Sequence, residues 1–215
     1  MGNVITFRVF KYPVHVHWTA TLLLLMIGFS QSSGQVSASG LIMAVLVAVV
    51  VLFSVLVHEL GHAFAADRLG LRTLDIMLHG MGGQCRYQGH TSHKNRMLVS
   101  LAGPAAGLGL GLVGATLWFT VGNSLPSPLR QLVWVLFTVN VFWTVFNLLP
   151  MWPLDGGHAL SSGLMMKMKA SKATSISTWV SLVIGALVTL YGVTSGEFFL
   201  AIIGGMVLME NWRRR

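Results

Sequence analysis

The sequence predicts an all-α polytopic membrane protein. It reads as about six transmembrane helices, with a short cytoplasmic-side, membrane-associated hairpin between helices 2 and 3. Three observations carry this. The 215 residues include only 14 Lys+Arg and six Asp+Glu, 9% in all, where a soluble domain carries about 25%. Apolar residues make up 54%, and the mean hydropathy is +0.72. The apolar residues also gather into six runs separated by short polar stretches. So few charges cannot cover a soluble surface, and disorder requires low hydrophobicity. At about 20 residues per span, six or seven spans would fill this length. A single domain over residues 1–215 is therefore expected.

The first run, 16–30, follows Arg8 and Lys11. No small-residue cleavage site succeeds it, so it reads as a retained span and not as a signal peptide. The second run covers 41–66, the third 97–121, the fourth 129–150, the fifth 176–194 and the sixth 198–212. Between the second and third, residues 71–93 are too polar and too short to span. Their Gly-rich centre, GMGGQ, suits a hairpin or an extended loop. Such backbone dips to membrane depth only where protein covers it.

The charges sort by side. Arg8 and Lys11 precede run one. Arg68, Arg72, Arg86, Lys94 and Arg96 follow run two. Lys167, Lys169 and Lys172 follow run four, and Arg213, Arg214 and Arg215 follow run six. That puts 13 basic residues on the side of both termini and only Arg130 on the other. The positive-inside rule then places both termini in the cytoplasm. The net charge of +8 is thus topological, and no nucleic-acid role is expected, since that would need the charges on one face. The single cysteine, Cys85, excludes an internal disulfide and reads as a reduced thiol.

Run two ends in VLVHELGHAFAAD, where His58, Glu59 and His62 form H-E-x-x-H. Four residues apart on a helix, the two imidazoles share a face and can bind one Zn²⁺. Glu59 beside them can take a proton from the hydrolytic water. The motif is short enough to arise by chance. Inside an apolar helix, however, a carboxylate and two imidazoles are costly unless paired or metal-bound. A third ligand is then needed. Among the six acids, Asp67 and Asp75 lie at and beyond the end of run two, Glu197 lies on the far side and Glu210 ends run six. Asp155 remains, in NLLPMWPLDGGH, where Pro150, Pro153, Gly156 and Gly157 break run four. His62 and His58 lie about 7 and 13 Å from Asp67 along a helix, a shallow depth on the same side. His158 is the competing ligand, and a His₂-carboxylate set favours Asp155.

These residues resemble the site-2 protease family of intramembrane zinc metalloproteases. The resemblance rests on HELGH at 58–62 and NLLPMWPLDGGH at 147–158. PVHVHW at 13–18, SLAGPAAG at 100–107 and the glycine turn add weaker support. It implies one Zn²⁺ held by His58, His62 and Asp155, with Glu59 as the catalytic base. It implies that Asn147 steadies the substrate backbone or the oxyanion. It implies cleavage of membrane-spanning protein substrates within the lipid bilayer, near the cytoplasmic side, in the plasma membrane of a bacterium or an archaeon. The chain looks like a minimal form, a single transmembrane peptidase domain without PDZ or CBS modules. Homo-oligomerisation stays open. The alternative is a catalytically silent zinc-binding membrane protein or a transporter. A transporter should show repeats and midplane ionisable groups, and a pseudoprotease should have lost Glu59 or a ligand.

Other features have plainer readings. Gly109, Gly111 and Gly114 fit G-x-G-x-x-G, yet no strand precedes them. Gly103, Gly107 and Gly111 instead form a small-residue face for helix packing. His15 and His17 are expected at the membrane interface, and His79, His90 and His93 in solvated loops. Trp18, Trp134 and Trp212 fall near span ends, as interface anchors do.

Overall fold

The computed structural model describes residues 4–21, 37–80 and 82–214. Most of the predicted first span, from residue 22 onward, lies outside the described residues. The described elements are β1 (Val4–Val9), β2 (Tyr12–His17), α1 (Ala38–Arg68), β3 (Arg72–His79), β4 (Gly82–Gln88), α2 (His93–Val121), α3 (Ser127–Asn147), α4 (Asp155–Met165), α5 (Ala170–Ser195) and α6 (Phe198–Arg213). Four of these stretches are long and apolar enough to cross a membrane: α1, α2 with the short 3₁₀ turn that follows it, α3 and α5. Helix α6 has 16 residues, about 24 Å of helix. The fold is mostly helical, and it adds to the expected all-α class a four-stranded sheet in the order β1-β2-β3-β4.

The chain divides into two compact units. One holds residues up to His90 together with Ala105–Thr144. The other holds Thr91–Pro104 and Val145 onward.

In the first unit the sheet packs on α1. Strands β1 and β2 pair antiparallel, as do β3 and β4, while β2 and β3 run parallel. Parallel neighbours need a long crossover, and α1 lies in that connection. The side-chain period of two sends Tyr12 and Val14 of β2 and Ile76 and Leu78 of β3 to one face. There they bury against Val55 and Ala63 of α1. Each such aliphatic side chain contributes about 1.5–3 kcal/mol when fully buried. The apolar pattern starts the first run at residue 16, yet residues 12–17 belong to β2. The alternation of Tyr12, Val14 and Val16 with Pro13, His15 and His17 makes this stretch a strand instead. His15 and His17 accordingly sit on β2.

The end of α1 is tied to the sheet through one carboxylate. Asp67 accepts from the Tyr12 hydroxyl at 2.8 Å, from the Thr73 amide at 3.1 Å and from the Thr73 hydroxyl at 2.9 Å. Lys11 Nζ lies 2.6 Å from the same group. Gly70, with φ of +82°, then turns the chain into β3 through the left-handed region that favours glycine. On the outer face of the sheet, Arg86 of β4 grips Asp75 of β3 through Nε, at 2.6 Å, and through Nη2. That bond holds the Asp75 carboxyl below the usual carboxylate range.

Helices α2 and α3 meet through glycines. A Cβ on Gly114 would fall 2.8 Å from the Phe137 backbone nitrogen, and one on Gly111 would fall 3.2 Å from Asn140 Cβ. This is the close backbone approach that small residues permit between membrane helices, not a nucleotide loop. Asn140, fully buried on α3, donates to Ser54 Oγ of α1 at 2.8 Å.

In the second unit α5 and α6 pack along their length, and Phe146, Met151 and Val207 form a buried cluster. The segment from Leu148 to Leu154 leaves the end of α3 and leads into α4.

Candidate metal centre

Helix α1 carries the whole H-E-x-x-H group. His58, Glu59 and His62 are buried, and the i, i+4 spacing turns both imidazoles to one face. Their Nε2 atoms stand 3.2 Å apart, with the rings edge-on at a centroid distance of 4.9 Å. Two nitrogen ligands of a tetrahedral zinc, each about 2.0–2.1 Å from it, are separated by about 3.4 Å. The imidazole pair therefore already has the spacing that such an ion requires.

Neighbouring elements shape the space around this pair. Strand β4 runs so close that a Cβ on Gly83 would meet Glu59 Cγ and Oε1 at 2.5 Å. Only glycine leaves the carboxylate its place. From α2, a Cβ on Gly107 would come within 3.1 Å of Thr144 Oγ1 and 3.7 Å of His58 Nδ1. Thus β4 borders Glu59 and α2 borders His58.

Asp155 is the first residue of α4. The glycines that follow it let the preceding segment fold back onto this first turn. A Cβ on Gly156 would clash with the carbonyls of Leu148 and Leu149, and one on Gly157 with the backbone of Met151 and Trp152. The polar groups of Trp152 are held from outside the segment. Its N–H donates to Ser181 Oγ of α5 at 2.9 Å, and its carbonyl accepts from Asn211 Nδ2 of α6 at 2.7 Å. Sequence reasoning passed over Ser181 and Asn211, which read there as isolated polar residues in apolar runs.

One ligand atom each from His58, His62 and Asp155 lie within 4.8 Å of one another. His158 is exposed and is absent from this group. Two imidazoles and one carboxylate match a catalytic zinc set that keeps a coordination position open. Asn147 is the last residue of α3, half-buried. The remaining histidines are not among the grouped ligands. His15 bonds Thr6 at 2.9 Å and His17 bonds Thr19 at 2.8 Å. Burial, then the neighbouring His17, lowers the His79 pKa, and His90 and His93 are exposed. Burial, then the nearby Glu59 carboxylate, pushes the Cys85 thiol up to about 12. It stays protonated at neutral pH.

Residues 46–131 and 120–191 match the model of peptidase family M50. The chain is 30% identical to Rip3 of Mycobacterium tuberculosis over 93% of its own length and 55% of that protein. It is 27% identical to zinc metalloprotease MJ0392 of Methanocaldococcus jannaschii, over 92% of this chain and 56% of the relative. It thus spans about half the length of these relatives. The solved site-2 protease from Methanocaldococcus jannaschii shares the fold, with a TM-score of 0.67 and 23% identity over 98% of this chain and 94% of that one. With its long apolar helices, this makes the chain an integral membrane protein.

Proposed function

The chain belongs to peptidase family M50, and from that premise we propose that it is an intramembrane zinc metalloprotease. It cleaves transmembrane segments of membrane proteins near the cytoplasmic side. The observation that carries this reading is the convergence of donor atoms from His58, His62 and Asp155 beside the buried carboxylate of Glu59. His58, His62 and Asp155 would hold one zinc ion per chain. When bound, zinc supplies Lewis acidity toward the scissile carbonyl and the hydrolytic water.

Glu59 accepts a proton from that water and passes it to the leaving amine nitrogen. Its neighbour Gly83 leaves space for the carboxylate to do so. Asn147 steadies the substrate backbone or the oxyanion, which suits a polar side chain at the end of a spanning helix. The substrate segment must unwind first, because a helical carbonyl is already hydrogen-bonded. Helix-breaking residues in the substrate lower that cost.

The charge asymmetry supports six spans with both termini in the cytoplasm, the β3–β4 hairpin on that side, and residues 1–215 as one transmembrane peptidase domain. It is consistent with the plasma membrane of a bacterium or archaeon, where membrane-spanning proteins are the substrates of a single chain or a homo-oligomer.

The test is Glu59→Gln in purified protein reconstituted with a single-span substrate. Cleavage should be lost while one zinc per chain is retained. Proteolysis persisting in the zinc-loaded variant would overturn the assignment of Glu59.

A further inference from the structure

The segment ahead of Asp155 is held by two side chains from far along the chain. Trp152 donates its N–H to Ser181 Oγ and receives Asn211 Nδ2 at its carbonyl. Ser181 Oγ–H is itself directed to the Ser177 carbonyl, 2.8 Å away, so the hydroxyl's acceptor side faces Trp152. Asn211 spends its other amide hydrogen on the Val207 carbonyl at 2.9 Å. Both side chains are fully buried. The Arg214 guanidinium covers the Trp152 indole at 3.8 Å from the ring centroid.

Two features argue that this clamp serves more than packing. Asn211 Oδ1 is buried and finds no hydrogen-bond partner among the described residues. An unsatisfied buried acceptor is a standing cost, and an apolar residue of similar size would avoid it. The clamp also acts three residues before Asp155, at the peptide unit onto which Gly157 packs without room for a Cβ. Fixing Trp152 therefore fixes the first turn of α4, from which the Asp155 carboxylate projects.

We propose that Asn211 and Ser181 are positioning residues for Asp155: they lock the Trp152 main chain so that the carboxylate is presented for metal binding. This rests on the reading of Asp155 as a zinc ligand. Groups that orient a metal ligand change metal affinity by about 10–100-fold when removed.

The experiment measures zinc affinity of the full-length protein in detergent, by competition with a chromophoric chelator, beside the apo-protein melting temperature. Asn211→Leu is expected to weaken zinc binding about 10–100-fold while the apo melting temperature changes little. With a single-span substrate, kcat should fall and KM should hold. Ser181→Ala should weaken zinc binding in the same direction by a smaller factor, and it decides the matter if Asn211→Leu does not fold. Zinc affinity within two-fold of wild type in the folded variants, alongside a large loss in Asp155→Ala, would overturn the positioning role. Unchanged affinity in Asp155→Ala would instead overturn the ligand reading, and the positioning role with it.

Discussion

Two pieces of chain supply the proposed metal ligands, and they are built in opposite ways. Helix α1 sets His58 and His62 on one face by its own pitch, with their Nε2 atoms 3.2 Å apart. The stretch before Asp155 has no such internal rule. Between the end of α3 and the start of α4 it makes only a few local backbone bonds, such as Leu154 N–H to the Met151 carbonyl. Side chains of α5 and α6 set the rest. The first kind of site has its spacing written into one helix, whereas the second inherits the errors of two other helices.

This contrast can be broken most severely at Gly157. An alanine there meets the backbone of Met151 and Trp152, which cannot swing aside as a side chain would. Overpacking typically costs about 1–3 kcal/mol. Gly157→Ala should lower the apo melting temperature and lose most zinc affinity, measured by calorimetry and chelator competition. A variant with wild-type values in both would show that the segment tolerates rearrangement.

The α1 site should respond differently to the same kind of change. Gly83→Ala directs a methyl at the Glu59 side chain, and a glutamate can move. Stability and zinc content should hold, while kcat/KM falls about 10–100-fold, since a shift of about 1 Å in a reacting group costs about that much. Loss of zinc in this variant would show that β4 supports the histidines as well as the glutamate.

The smallest effect is expected on the outer face of the sheet. Arg86 holds the Asp75 carboxyl below its ordinary range. A depressed folded-state pKa contributes stability above the unfolded value, and that stability is lost as pH falls through the folded value. The melting temperature of the wild type should therefore drop on acidification more than that of Asp75→Asn. Parallel pH profiles would remove the pair from the account of stability.

The same contrast governs what could be read in advance. His58, Glu59 and His62 were legible because one helix encodes their geometry in a spacing of four. Asp155 was legible because acids are scarce and because Pro150, Pro153, Gly156 and Gly157 mark a break. Ser181 and Asn211 were not, since nothing local says that a serine and an asparagine in apolar runs meet the same tryptophan. The strands β1 and β2 were missed for a related reason. The β1–β2 hairpin is itself local, from Val9 opposite Tyr12 to Val4 opposite His17, but what buries it is the parallel pairing of Val14 with Ile76, and that pairing is not local.

The parallel match of Val14 with Ile76 also has a kinetic meaning. Closing a contact across about sixty residues is slow, and its entropy must be met before the contact rewards it. Nearly all the intervening chain is the first apolar run and α1. The β2–β3 pair is therefore expected to form more slowly than the local β1–β2 and β3–β4 hairpins. Joined β2 and β3 strands thus report long-range closure around the helix that bears His58 and His62.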